Sequence, residues 1–240
     1  MALIRVMALL FMAPVFVLQG RQVRARTPIL PEPDGVREGQ IGRGPDQRLL
    51  ILGDSAAAGV GVSVQDEALS GRLVEALAPH FRLQWRLEAR NGRRAGDVLA
   101  GAGLPSQGTF DTIVISLGVN DVTAGTPIWF WINQMETLLD RLRKDYGARY
   151  ILVTAVPPMD HFPALPQPLR WYLGARAAAM NRGLARRLSV SADVELVEVP
   201  FSEAPDVMAE DGFHPGPAGY RDWARTLAER IRARFGSVMG

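Results

Sequence analysis

Ser55 is the first residue whose position suggests covalent chemistry. It closes the sequence Gly53-Asp54-Ser55, directly after the apolar run 49–53. A serine hydroxyl at a strand end can act as a nucleophile once a neighbouring base takes its proton. Serine in such a turn is also a common helix cap, so this segment alone leaves both interpretations open. The segment lacks the lysine of a phosphate-binding loop and the third glycine of a dinucleotide fingerprint.

His214 is the best candidate for the base. Asp211 lies three residues before it, a spacing at which a carboxylate can orient the imidazole so that the other ring nitrogen accepts a proton. The other two histidines differ: His80 lies at a helix–strand junction, and His161 lies in a proline-rich loop where it could line a pocket. Taken alone, the Asp211–His214 pair could equally be a polar turn before the last helix.

Two further positions could donate hydrogen bonds to a developing oxyanion. Gly96 follows the second predicted strand and could present a bare backbone N–H. Asn120 follows the third predicted strand and could present its side-chain amide. Each also fits a simple turn, so neither is decisive by itself.

The elements that must position these residues alternate along the chain. Short apolar runs predict five strands, and segments between and after them predict five helices. This alternation predicts an α/β fold, a doubly wound, flavodoxin-like five-stranded parallel sheet with helices on both faces and its active site at the carboxyl ends of the strands. The predicted strands are 49–53, 82–89, 112–118, 150–156 and 194–199, and the helices are 65–79, 96–104, 127–145, 170–190 and 216–235.

The four polar blocks together resemble the SGNH, or GDSL, hydrolase family. The matching segments are "GDS", "NGRRAG", "GVND" and "DGFH", in that order, and the resemblance covers about residues 49–235. One departure is Ala56, which stands where the family name suggests leucine and could alter the floor of the substrate pocket.

The resemblance implies a serine esterase that needs no metal or organic cofactor. Ser55 is then the nucleophile, His214 the general base and acid, and Asp211 the group that orients the histidine. The oxyanion hole is implied to consist of the backbone N–H groups of Ser55 and Gly96 and the side-chain amide of Asn120.

The substrate is less defined by the sequence. Trp129, Phe130 and Trp131 begin the helix after the asparagine block, and at least one of them must be exposed. We interpret Trp129 and Trp131, with His161, as candidate walls of an acyl-chain pocket, although core packing with one surface ring is the simpler alternative. An acyl lipid or small acyl ester is the expected substrate. The alternatives are an O-acetyl esterase or acyltransferase acting on a polysaccharide, and a non-catalytic carbohydrate-binding protein of this fold.

The chain divides into three predicted regions. Residues 1–26 contain an uncharged apolar stretch flanked by arginines, which predicts a membrane anchor or a cleaved secretion signal. Residues 27–47 are rich in proline, glycine and charge and predict a linker, and residues 48–236 form the hydrolase domain. We expect an anchored, extracytoplasmic (periplasmic) domain; a cytoplasmic domain, and secretion after cleavage, are alternatives.

Composition excludes other classes of function. The chain has no cysteine, which excludes thiol catalysis, disulfides and cysteine-ligated zinc. The net charge is +2, and seven arginines against four acids in residues 1–48 leave the rest of the chain nearly neutral. Without a basic stripe in the folded part, we expect no nucleic-acid partner.

Overall fold

The protein forms one six-stranded sheet flanked by helices. The computed structural model describes residues 2–199 and 206–236, with side chains from residue 11 onward. The strands are β1 (Glu38–Ile41), β2 (Asp46–Gly53), β3 (Arg82–Ala89), β4 (Thr112–Ser116), β5 (Tyr150–Thr154) and β6 (Val194–Val197).

The sheet has the strand order β1-β3-β2-β4-β5-β6. Every pairing is parallel except that of β1 with β3, which is antiparallel. The five parallel strands therefore have the flavodoxin-like order, in which the chain leaves β2 toward β3 and then crosses back to β4. The predicted fold class is confirmed, and the topological switch point lies at the carboxyl ends of β2 and β4.

Alternation along the central strands builds a core on each face of the sheet. Leu50 and Leu52 of β2 pack into one buried cluster, while Leu49 and Ile51 pack into the other, and all four are fully buried. Side chains of successive strand residues point to opposite faces, so a strand covered on both sides needs a continuous apolar run. This run is the pattern that predicted β2.

The helices divide between these two faces. The helices are α1 (Ala2–Arg26), α2 (Ser55–Ala58), α3 (Leu69–Leu77), α4 (Ala95–Leu99), α5 (Val119–Ala124), α6 (Ile128–Tyr146), α7 (Leu169–Leu188) and α8 (Pro217–Phe235). Helices α4 to α7 contribute to the Leu50 cluster, and α2, α3 and α8 contribute to the Leu49 cluster.

The segment predicted to be a linker contributes to the domain. Its residues Glu38–Ile41 form β1, which pairs with β3 over four residues, and Asp34 bridges to Val64. All four residues of β1 are exposed. A strand exposed on both faces has no alternation of apolar and polar residues, which is why periodicity did not predict it.

The N-terminal helix α1 packs against α7. The ring of Phe16 stacks on that of Tyr172 with 4.5 Å between centroids. The Gln19 side chain donates to the carbonyl of Gln167 at 2.7 Å and accepts from the N–H of Leu169 at 3.1 Å. The second half of α1 is thus in contact with α7 and the residues that precede it.

Among the residues that the structure describes, no helix is long and apolar enough to cross a membrane. The structure therefore gives no support to the membrane anchor predicted for residues 1–26. Secretion after cleavage of this segment stays a prediction.

Candidate active site

Ser55 begins a one-turn helix at the carboxyl end of β2. Gly53 permits this sharp turn, since a Cβ there would lie 2.6 Å from both the Ala57 Cβ and the Ser116 carbonyl oxygen. Asp54 caps the new helix through Oδ1, which accepts from the Ala56 N–H at 3.2 Å. Because Ser55 is the first residue of α2, its N–H has no intrahelical acceptor and is available to a ligand.

Ser55, His214 and Asp211 form a hydrogen-bonded chain. The Oγ of Ser55 lies 2.9 Å from Nε2 of His214. On the other side of the ring, Nδ1 lies 2.5 Å from Oδ2 of Asp211. This arrangement can accept a proton from the serine hydroxyl while the carboxylate stabilises the charged imidazole.

Asp211 is held in its charged form although its side chain is almost fully buried. Its Oδ1 accepts from the backbone N–H groups of Phe213 at 2.9 Å and His214 at 3.0 Å. Burial alone raises the pKa of a carboxyl, but the His214 side-chain bond and these backbone bonds outweigh it and hold the pKa of Asp211 below its ordinary value. A charged Asp211 at neutral pH is what the orienting role requires.

Asp54 is a second buried carboxyl beside the serine. Burial raises its pKa to about 7, partly opposed by the hydrogen bond from Ala56 and by the proximity of His214. Asp54 therefore titrates near neutral pH, whereas Asp211 does not.

Gly96 and Asn120 lie on neighbouring helix starts at the same sheet edge. Gly96 is the second residue of α4, so its N–H has no intrahelical acceptor. Asn120 lies in α5, and its Nδ2 donates one hydrogen to the Arg93 carbonyl at 3.1 Å. An amide NH₂ has two hydrogens, so the second is available to another acceptor.

A cavity of about 580 Å³ opens beside Ser55 and His214. Its volume lies within the usual range of small-molecule sites. Most of its lining is apolar and comes from the loop after β5, one face of α7, the segment that precedes α8 and the start of α8. Ala56, the departure from the family pattern, also lines it, and a small residue there leaves more room than leucine would.

The three predicted pocket residues do not line this cavity, and that prediction is corrected. Trp131 is 1% exposed because it packs into the core beneath α6. Trp129 is 66% exposed and stacks edge-on against Phe130 at the surface. His161 is exposed at the end of a short turn in the loop after β5. The core-packing alternative holds for Trp131. It expected one exposed ring, whereas both Trp129 and Phe130 are exposed.

The cavity uses other aromatic residues, which the sequence did not single out. Trp171 of α7 and Trp223 of α8 both line it, and the Trp223 Nε1 donates to the Thr154 hydroxyl at 3.2 Å. Asn181 of α7 closes one wall by pairing with both backbone groups of Val156, at 2.9 and 2.8 Å. The length of the connection between β5 and α7 was the available signal, since long loops at this sheet edge often build sites.

In the part of the chain that the structure describes, no group of three or more histidine, aspartate or glutamate side chains could hold a metal ion. That the reaction needs no metal or cofactor stays a prediction.

Comparison with known proteins points to one family. The family model for GDSL-like lipases and acylhydrolases matches residues 51–221. A GDSL-like esterase of Mycobacterium tuberculosis is 28% identical in an alignment that covers 85% of this chain and 72% of the relative.

Solved structures of two different esterases share the fold. An extracellular lipase from Streptomyces rimosus superposes with a TM-score of 0.57 at 18% identity, over 76% of this chain and 99% of the lipase. An acetylxylan esterase from Geobacillus stearothermophilus gives 0.57 at 16% identity, over 78% of this chain and 95% of the esterase. At these identities the likeness concerns the fold and does not choose between a lipid and a polysaccharide substrate.

Proposed function

The chain belongs to the GDSL-like lipase/acylhydrolase family and is an ester-hydrolysing enzyme, and from this premise we propose that it cleaves carboxylic esters or thioesters through an acyl-enzyme on Ser55. The observation that carries the proposal is the 2.9 Å contact between the Ser55 Oγ and the His214 Nε2, continued to Asp211.

The first half of the proposed reaction acylates the enzyme. The Ser55 Oγ attacks the ester carbonyl carbon while its proton passes to Nε2 of His214. The tetrahedral intermediate then collapses, the bond to the leaving alcohol or thiol breaks, and His214 gives the proton to that group. Asp211 accepts from Nδ1 throughout and stabilises the imidazolium.

The second half releases the acid. Water enters the position of the leaving group and loses a proton to His214 as it attacks the acyl carbonyl. The second tetrahedral intermediate expels the Ser55 oxygen, which regains its proton from His214. The net change is addition of water across the ester bond, with the enzyme restored.

The proposed oxyanion hole uses three donors. The free N–H groups of Ser55 and Gly96 and the second amide hydrogen of Asn120 supply them, and one such donor commonly contributes about 100-fold or more to kcat. Two of the three are helix-start amides, which favour a developing negative charge.

The proposed substrate has an acyl chain longer than acetyl. An acetyl group needs no apolar cavity, whereas the 580 Å³ space beside Ser55 is lined mostly by apolar side chains. Along α7, the small residue Ala178 leaves this space open. Acyl lipids and small acyl esters fit this lining better than an O-acetylated polysaccharide does.

Replacement of Ser55 tests the nucleophile. We expect Ser55→Ala to lose turnover of p-nitrophenyl esters and labelling by a fluorophosphonate probe, with the melting temperature retained. Ser116→Ala is the matched control, because Ser116 lines the same cavity. Full turnover by a folded Ser55→Ala protein would reject the proposal.

Chain-length profiling tests the substrate class. Among p-nitrophenyl esters from acetate to decanoate, we expect kcat/KM to peak beyond acetate and Ala178→Leu to move the peak to shorter chains. Ala179→Leu on the same helix is the control, since Ala179 is not among the lining residues. A preference for acetate in both variants and the parent would favour the O-acetyl esterase. Ester product formed with an added sugar acceptor would favour acyl transfer.

A further inference from the structure

We propose that Asp121 is a positioning residue that holds the start of α4, and with it Gly96, in place, and so affects kcat without touching the substrate. This inference rests on the oxyanion hole of the proposed function. Asp121 is a buried carboxylate that the proposed Ser55–His214–Asp211 chemistry does not use.

Two consecutive residues of α5 form hydrogen bonds to the loop after β3. The Oδ2 of Asp121 accepts from the N–H of Ala95 at 3.3 Å. The amide of Asn120 donates to the carbonyl of Arg93 at 3.1 Å. The loop is therefore held by one acceptor and one donor at residues two positions apart, directly before Gly96.

These two hydrogen bonds act at the start of α4, where the Asp97 carboxylate also accepts from the Arg94 N–H at 2.9 Å. The helix has five residues, from Ala95 to Leu99, and Ala95 immediately precedes the proposed oxyanion donor. A Cβ at Gly96 would lie 2.7 Å from the Gln134 side-chain amide, so the loop fits closely against α6. A displacement of about 1 Å at a reacting centre can cost about 100-fold in rate.

The carboxylate is itself anchored from the opposite side. Asp121 is 1% exposed, and its Oδ1 accepts from the Thr126 hydroxyl at 3.3 Å. Burial raises the pKa of Asp121, and the bonds from Ala95 and Thr126 oppose that rise. Burying a carboxylate costs free energy unless hydrogen bonds compensate for the lost water. An apolar residue would fill this position at lower cost, so the hydrogen bonds of Asp121 are the reason for a carboxylate here.

The geometry predicts which substitutions at position 121 preserve the hydrogen bond from the Ala95 N–H. In Asp121→Asn, the amide oxygen can accept from Ala95 while its NH₂ donates to the Thr126 hydroxyl, which can also accept. In Asp121→Leu, a side chain of similar size offers no acceptor to the Ala95 N–H. Asp121→Ala removes the same acceptor with less steric demand and serves if the leucine variant does not fold.

The experiment compares steady-state kinetics of these variants on the best p-nitrophenyl ester. We expect Asp121→Leu and Asp121→Ala to lower kcat by about 10- to 100-fold with KM within about twofold, and Asp121→Asn to stay within about fivefold of the parent. The inhibition constant of an alkylboronic acid, which forms a tetrahedral adduct on serine, should rise in parallel with the loss of kcat. Thr126→Ala removes the second bond of Asp121 and should lower kcat less than Asp121→Ala does, since the bond from the Ala95 N–H remains.

Several outcomes would overturn the inference. The first is a folded Asp121→Ala protein with the kcat of the parent. The second is an equal loss of kcat in Thr126→Ala and Asp121→Ala. The third is an inhibition constant of the boronic acid that stays the same while kcat falls. Ser55→Ala in the same assay separates this failure from that of the proposed function. If Ser55→Ala is inactive while Asp121→Ala is fully active, only the positioning role is rejected; if Ser55→Ala retains turnover, the proposed function itself is rejected.

Discussion

Replacing Asp54 by asparagine should raise the free energy of unfolding at alkaline pH and change it little in acid. Asp54 is 2% exposed, beside Ser55, and caps α2 through its Oδ1. Asparagine keeps an oxygen that can accept from the Ala56 N–H, so the substitution removes the titrating charge and little else.

The magnitude follows from the pKa of Asp54, which burial raises from its ordinary value of 3.8 to about 7. Between these two values the folded state binds a proton that the unfolded state has released, so the stability of the parent falls as pH rises through this window. One pKa unit corresponds to about 1.4 kcal/mol, which makes the whole loss about 4 kcal/mol, complete above about pH 7. From pH 5 to pH 8 the asparagine variant should gain about 3 kcal/mol on the parent.

Urea unfolding of both proteins at pH 5 and pH 8 measures this difference. Asp66→Asn is the control for loss of one negative charge at an exposed position. A free-energy difference between Asp54→Asn and the parent that is the same at both pH values, or that favours the parent at pH 8, would refute the reasoning.

Three further substitutions test the site and its supports. Asp211→Asn should lower kcat by about 10³-fold or more, because an amide no longer holds His214 in its productive tautomer, and steady-state kinetics measure this loss; parental kcat would contradict it. Gly61→Ala should destabilise the fold by about 1–3 kcal/mol in thermal melting, since Gly61 has a φ of +112° and its Cβ would lie 2.2 Å from the Pro215 carbonyl oxygen; unchanged melting would contradict the close approach. Asn181→Leu should lose about 1–3 kcal/mol in urea unfolding because it strands two backbone groups of the loop after β5; parental stability would show that the loop repairs those bonds itself.

The five parallel strands and their order were predictable because a strand covered on both faces has a simple pattern. The run 49–53 is apolar throughout since both faces of β2 are packed, and each later parallel strand follows a recognisable helix. The prediction that Ser55, His214 and Asp211 lie together depended on this topology, which brings the residues after β2 and before α8 to one edge. The contact between Ser55 and His214 spans 159 residues of sequence and has no local signal.

The cavity was less predictable, for a physical reason. The three successive aromatics at 129–131 suggested a pocket wall. Consecutive side chains of a helix point in different directions, however, and Trp131 packs in the core. The cavity instead depends on where small and large residues of α7 and α8 meet across space, as Ala178 and Trp223 do. Such packing between elements distant in sequence leaves no pattern within either helix.

The antiparallel strand β1 protects the sheet against unwanted association between molecules. Without it, β3 would present eight residues of unpaired backbone at the sheet edge, including the partly buried Trp85. An open edge of this kind recruits strands from other chains, whereas a short, two-sided exposed strand such as β1 is a poor template for further pairing. A variant that begins at residue 48 would therefore keep the proposed catalytic residues but lack β1, and we expect it to aggregate. Expression designs should begin upstream of Glu38.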